Sequence, residues 1–127
     1  MADSTTPTPP RPISVTKGQF GFKVCPPRFP VNEPLGLGPD FVLSNRSGED
    51  MRVTFPPRLV IDRETGKEIT DPFVVVNRGK KNLRVNVDYQ PPEQERTVSE
   101  VYSYEVFMLK AEIEASGCSR PEVEIQR

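Results

Sequence analysis

Catalysis or metal binding needs titratable or soft side chains held close together, and this chain offers few. Its 127 residues include two cysteines, three methionines, no histidine and no tryptophan. Without imidazole there is no Ser-His-Asp or Cys-His nucleophile pair, no His-ligated zinc site and no blue-copper site with two imidazoles. Cys25 and Cys118 stand too far apart for a CxxC redox or zinc motif. Each sits beside turn formers, in Cys25-Pro-Pro and Gly-Cys118-Ser. Two unpaired thiols in a reducing compartment is the first reading; a disulfide tying the first strand to the last loop is the second.

Eighteen acidic residues leave paired-carboxylate chemistry open by number alone. Glu112 and Glu114, then Glu122 and Glu124, recur at period two behind Glu105. That spacing sets them along outward strand faces as a solvated row. Asp62-Arg-Glu64 and Asp71-Pro lack the dense Asp/Asn/Gly pattern of a calcium loop. Gly36-Leu-Gly38 and Gly79-Lys-Lys lack the spacing and the following helix of a phosphate loop. The cluster Arg78, Lys80, Lys81 and Arg84 is a four-charge turn, a solubility feature and also a candidate contact for a small anion. Tyr89, Tyr102, Tyr104 and Phe107 read as core or cross-strand pairs rather than a base-stacking platform.

Seventeen basic against eighteen acidic residues give a net charge of -1 with no long block of either sign. Nucleic acid and anionic membranes both ask for a basic excess, so neither is an expected partner. The N-terminus has no basic segment followed by an apolar one, and no apolar run approaches the roughly 20 residues of a membrane span. The expected location is cytoplasmic.

The elements that would position these groups are short strands. Fifteen prolines stand at segment borders, which excludes long helices and suits many turns. Residues 1–12 form a Pro/Thr-rich leader that can bury nothing, expected to be disordered, and 13–127 a single domain. Gln19–Cys25 alternates, with Phe20, Phe22 and Val24 on one face. Next comes a long proline-rich connection over 26–39, the richest stretch in exposed-looking apolar residues: Phe29, Val31, Leu35 and Leu37 are the candidate interaction surface. Phe73-Val-Val-Val76 reads as a strand buried on both faces, and Leu83, Val85, Val87 and Tyr89 alternate inward. Pro91–Val98 is the place where a helical turn is plausible. Further on, Tyr102, Tyr104, Val106 and Met108 share a face.

The centre of the chain is Phe41-Val-Leu-Ser-Asn-Arg-Ser-Gly-Glu-Asp-Met-Arg-Val-Thr-Phe55: a strand, the turn Asn45-Arg-Ser-Gly48, and a second strand read as its partner. This stretch resembles the strand–turn–strand of cupredoxins, small copper proteins related to plastocyanin, where a strand ends in Asn and a copper-binding His opens the next. Met51 occupies that His position. Tyr102-Ser-Tyr104-Glu-Val106 is similar to the family's penultimate strand, with Val106 where the copper-binding Cys would stand and Leu109 where the second His would. The loop that would supply the axial Met, Ala115-Ser-Gly-Cys-Ser-Arg-Pro121, has neither Met nor His. The resemblance covers 41–55 and 101–125. It implies a cupredoxin-like scaffold whose metal pocket has become hydrophobic core. Immunoglobulin-like and fibronectin-like sandwiches share the alternation.

The expectation is an all-β, antiparallel two-sheet Greek-key sandwich of about seven or eight strands, cupredoxin-like or immunoglobulin-like, with at most one short helical turn. The expected function is a non-catalytic interaction or structural module with no cofactor and no metal site, acting through a protein partner or self-association. The alternative is a small-ligand binder with a pocket at one end of the sandwich. More remote is a soft Cu(I) site from Cys118 with Met108 or Met51.

Overall fold

The computed structural model describes residues 9–91, 100–115 and 120–126. Among them lie strands β1 (Arg11–Gly18), β2 (Gly21–Cys25), β3 (Arg28–Val31), β4 (Asp40–Arg46), β5 (Met51–Thr54) and β6 (Val60–Asp62). They are followed by β7 (Phe73–Val75), β8 (Lys80–Val85), β9 (Val101–Ser103), β10 (Glu105–Met108), β11 (Ile113–Glu114) and β12 (Glu122–Ile125). One 3-10 turn, Glu33–Leu35, carries a proline in its first turn. The helical turn expected after Pro91 and the Cys118 thiol lie outside the described residues.

One sheet runs β2-β1-β4-β8-β6. The other strands form β11-β10-β5-β7 and β3-β12-β9, and these two pieces are one layer. β9 and β10 follow each other across Tyr104, whose N–H donates to the Pro121 carbonyl at 3.0 Å, while Ala115 N–H donates to Val106 at 2.8 Å. The ladder thus passes from β12 to β11 along one long, bent strand. The strand count exceeds the expected one because such bends divide long strands into short ones.

Both sheets are mixed rather than purely antiparallel, because β1 pairs β4 in parallel and β3 pairs β12 in parallel. The reason is the chain path: after β2 it crosses to the other layer for β3 and returns beside β1 as β4. β1 begins at Arg11, so Arg11 and Pro12 belong to the fold, opposite Phe41 and Val42.

The core lies between the layers. Ile13, Val15, Phe41, Leu43 and Leu83 from the first sheet meet Phe29, Met51, Val53, Val106, Met108 and Val123 from the second, all fully or almost fully buried. Each such side chain contributes roughly 1.5–3 kcal/mol of burial free energy. An aromatic seam stitches the layers: Phe29 to Phe41 at 5.1 Å, Phe41 to Phe55 at 6.3 Å, and Phe55 stacked on Tyr104 at 4.4 Å.

Three expectations need correction. β4 and β5 are not partners: β4 pairs β1 and β8, β5 pairs β10 and β7, so the turn between them is an arch from one sheet to the other. β7 is an edge strand, and Val74 and Val76 face solvent while Val75 is buried. An apolar run alone does not separate a central strand from an edge one. Phe20 does not continue the face of Phe22 and Val24; it occupies the tip of the β1–β2 hairpin closed by Gly18 and Gly21, and is 95% exposed.

Candidate functional site

Two arches close the same end of the sandwich, β4 to β5 and β7 to β8. Asn45, the last inward residue of β4, holds them together. Its Oδ1 accepts from the Ser47 N–H at 3.0 Å and the Ser47 hydroxyl at 2.6 Å. Its Nδ2 donates to Glu49 and Val75 carbonyls, both at 2.8 Å. The main chain adds two more bonds: Asn45 N–H donates to Gly79 and Arg78 N–H donates to Asn45, both at 2.9 Å. Asn45 and Ser47 are the buried polar residues of the described structure, and this network satisfies every donor and acceptor of the Asn45 amide.

Glycine is needed at two points of this end. Gly48 has φ +94, a left-handed conformation that side chains resist. At Gly79 a Cβ would lie 2.9 Å from the Val76 carbonyl oxygen. Close approach of the two arches leaves a cleft of about 430 Å³ between them, lined among others by Ser44, Arg46, Gly48, Asn77, Arg78 and Lys80.

The basic cluster expected to meet an anion is divided by the fold. Lys81 Nζ donates to Asp62 at 2.9 Å and lies 5.8 Å above the Phe73 ring. Arg84 Nε donates to Asp40 at 2.6 Å. Both carboxyls are held below their ordinary range, Asp40 chiefly by the Arg84 hydrogen bond and Asp62 chiefly by that of Lys81. Lys81 and Arg84 are therefore already paired with carboxylates, Asp40 also facing Arg63 at 3.7 Å, and the four cations do not converge on one contact. Arg78 and Lys80 remain, joined in the cleft by Arg46. Among the described residues none of these three makes an ion pair or side-chain hydrogen bond. The sequence reading missed Arg46, although continuing the alternation Phe41, Leu43, Asn45 would have placed Ser44 and Arg46 on the outer face.

The proposed apolar surface also comes apart. Phe29 and Val31 are 1% exposed, because β3 pairs β12 and turns both inward. Leu37 is half-buried, and Leu35 alone stands out at 72% exposure. Arg11 fastens this connection: its guanidinium lies 4.0 Å over the Phe29 ring, and Nη2 donates to the Pro30 and Gly38 carbonyls, both at 2.6 Å. Burial pulls the Arg11 pKa down.

The positions where the cupredoxin resemblance would put copper ligands do not make a ligand set. Met51 and Val106 are fully buried among apolar neighbours. Met51 stands opposite Met108 and Val75, and Leu109 is partly exposed. Among the described residues no group of three His, Cys, Asp or Glu side chains is placed to hold a metal. Two buried thioethers are a packing pair of the core, and Cys118, the third sulfur of the Cu(I) alternative, falls outside the described residues. Tyr104 is the other polar group in this interior. Its hydroxyl is buried with no hydrogen-bond partner among the described residues, and burial raises its pKa.

Besides the arch cleft, the described surface has one of about 350 Å³ beside Arg84 and Asp88, and one of about 230 Å³ lined by Val31, Pro34, Val87 and Ile125 with Glu33 and Gln126. No helix among the described residues is long and apolar enough to cross a membrane.

No protein-family model matches the chain, and no curated protein matches it. Among solved structures it resembles amicyanin, a cupredoxin. The Cu(I) structures of two methionine-to-alanine mutants of amicyanin align with TM-scores of 0.46 and 0.47, each at 12% identity, covering 99% of this chain and 90% of the other. The reduced Cu(I) form of a proline-to-glycine mutant of amicyanin at pH 4 aligns equally, at 0.47 and 12%. The chain is a β-sandwich with a low-specificity cupredoxin-like resemblance in fold.

Proposed function

We propose that this chain is a non-catalytic interaction module that meets a protein partner at the arch end of its sandwich. The observation that carries the reading is Phe20, 95% exposed at a hairpin tip. Scattered exposed leucines and isoleucines are ordinary on protein surfaces. A phenylalanine wholly in water at a tight turn does nothing for the turn and nothing for the core. Buried against a partner, it would contribute roughly 1.5–3 kcal/mol, and aromatic anchors of this kind dominate protein interfaces. Val76, also exposed, leads into the neighbouring arch.

The interior supports the same reading from the other side. Asn45 and Ser47, its buried polar pair, are committed to holding the arches. The Asn45 amide and the Ser47 proton are thereby engaged in those hydrogen bonds.

The test is to place a photo-cross-linking phenylalanine analogue at position 20 in the native host, and separately at position 35. Position 20 is expected to give a discrete protein adduct and position 35 none. Adducts from position 35 alone, or from neither position, would overturn the reading.

A further inference from the structure

The outer face of the first sheet carries an unusual pattern at the arch end. Strand register places Lys23, Thr16 and Arg46 in one row across β2, β1 and β4. The next row holds Cys25, Ser14, Ser44 and Lys80. Their inward neighbours Ile13, Val15, Leu43 and Asn45 are buried, so these rows face out. They consist of cations, hydroxyls and the exposed Cys25 thiol, with no carboxylate among them, and Arg78 joins from the adjoining turn across the cleft of about 430 Å³. The acids of the neighbouring turn are engaged by main-chain donors, Asp50 at Asn77 in the cleft wall. Glu49 Oε1 accepts from the Lys110 and Ala111 amides, and Asp50 Oδ1 accepts from the Asn77 amide.

Spacing says more than charge. Lys80 stands opposite Ser44, and Arg46 is two residues further along β4, so the two cations form a diagonal pair with Cα atoms roughly 7–8 Å apart. In an extended peptide, side chains two residues apart lie on one face at roughly 6.5–7 Å. The two repeats match.

We infer that the arch-end face binds an extended acidic segment of a protein partner, with acidic side chains at alternate positions meeting Arg46, Lys80 and Arg78. The hydroxyls of Ser14, Thr16 and Ser44 offer neutral donors between the cations. This inference rests on the interaction-module reading and names the partner's chemistry. A nucleic acid fits less well. The rows are two residues deep, the chain's net charge is -1, and a phosphate backbone rewards a longer basic track. The anionic side chains are carboxylates; phosphoserine, which arginine grips with the same planar fork, is the competing anion that the test separates.

The experiment is fluorescence anisotropy with the full chain and labelled peptides. The probes are an alternating Glu-Ser-Glu-Ser-Glu peptide, a form with phosphoserine in place of Glu, a Gln-for-Glu form, and a single-stranded oligonucleotide of equal charge. The acidic peptide is expected to bind, weakening as salt rises, and the Gln form to bind at least tenfold more weakly. Arg46→Glu with Lys80→Glu is expected to lower affinity at least tenfold with an unchanged melting temperature, since neither side chain has a partner to lose among the described residues. Lys67→Glu with Arg120→Glu makes the same charge change away from the cleft and should shift affinity less than threefold. Binding by the Glu peptide at least equal to that of the phosphoserine form supports the carboxylate; binding by the phosphoserine form alone overturns it.

No binding of either anionic peptide, equal loss in both double variants, or preference for the oligonucleotide would each overturn the inference. The interaction-module reading fails separately. If Phe20→Ser releases the native partner while Arg46→Glu with Lys80→Glu retains it, the module stands and the acidic segment falls.

Discussion

The two ends of the sandwich are built on opposite plans. At the start of β1 and β4, the proline-rich connection is rich in apolar residues, yet the fold draws Phe29 and Val31 into the core and Arg11 pins the backbone at Pro30 and Gly38. At the far end, the arches have a polar amide at their centre, and they present an exposed aromatic and three cations with no ion pair among the described residues. The apolar-looking end buries most of its apolar residues, and the polar-looking end exposes an aromatic and cations unpaired among the described residues. Residue type in a loop does not settle exposure; the strand that the loop joins does.

Removing the two fastenings sharpens that contrast. Asn45→Ala leaves the Val75 carbonyl and the Ser47 amide buried without their partner, and each orphaned group costs roughly 1–3 kcal/mol. A loss of about 3 kcal/mol is expected in denaturant unfolding. Arg11→Met keeps the packing over Phe29 but removes both donations from Nη2, and about 1–2 kcal/mol should go. If Arg11→Met costs more than Asn45→Ala, the roles of the ends are reversed.

Tyr104 lies between the ends and gives the smallest effect. Its buried hydroxyl has no hydrogen-bond partner among the described residues, so Tyr104→Phe should leave stability unchanged or raise it by up to about 1 kcal/mol. Burial raises the pKa of this hydroxyl above its ordinary 10.0. The folded state therefore keeps the proton that the unfolded state loses near pH 10, and stability falls as pH rises past that point. Tyr104→Phe should flatten that decline in urea unfolding curves taken from about pH 8 to about pH 11. A steeper decline in the variant would mean that the hydroxyl is stabilised in its ionised form.

Much of the fold was legible locally. Phe41 and Leu43, then Met51, Val53 and Phe55, alternate as strands, and every one of them faces the core. Tyr104, Val106 and Met108 do likewise. What local pattern could not show is which strand lies next to which. β4 and β5 look like a hairpin because a short Asn-containing turn joins them, and only the distant partners β8 and β10 put them in different sheets.

The site was legible to the same extent. Arg78 and Lys80 were picked out by their clustering, but Lys81 and Arg84 are removed by Asp62 and Asp40, acids far away in sequence. Arg46 is added by cross-strand register. Phe20 looked like core because alternation ran through it; the hairpin between Gly18 and Gly21 moved it to a tip.

The most direct measurement is recovery of the native partner by affinity-tagged chain carrying Phe20→Ser or Leu35→Ser. Both residues are exposed apolar side chains, at opposite ends, so neither change should lower the melting temperature. At least a tenfold loss of partner with Phe20→Ser and full recovery with Leu35→Ser is the predicted result. Loss with Leu35→Ser and full recovery with Phe20→Ser would contradict the account.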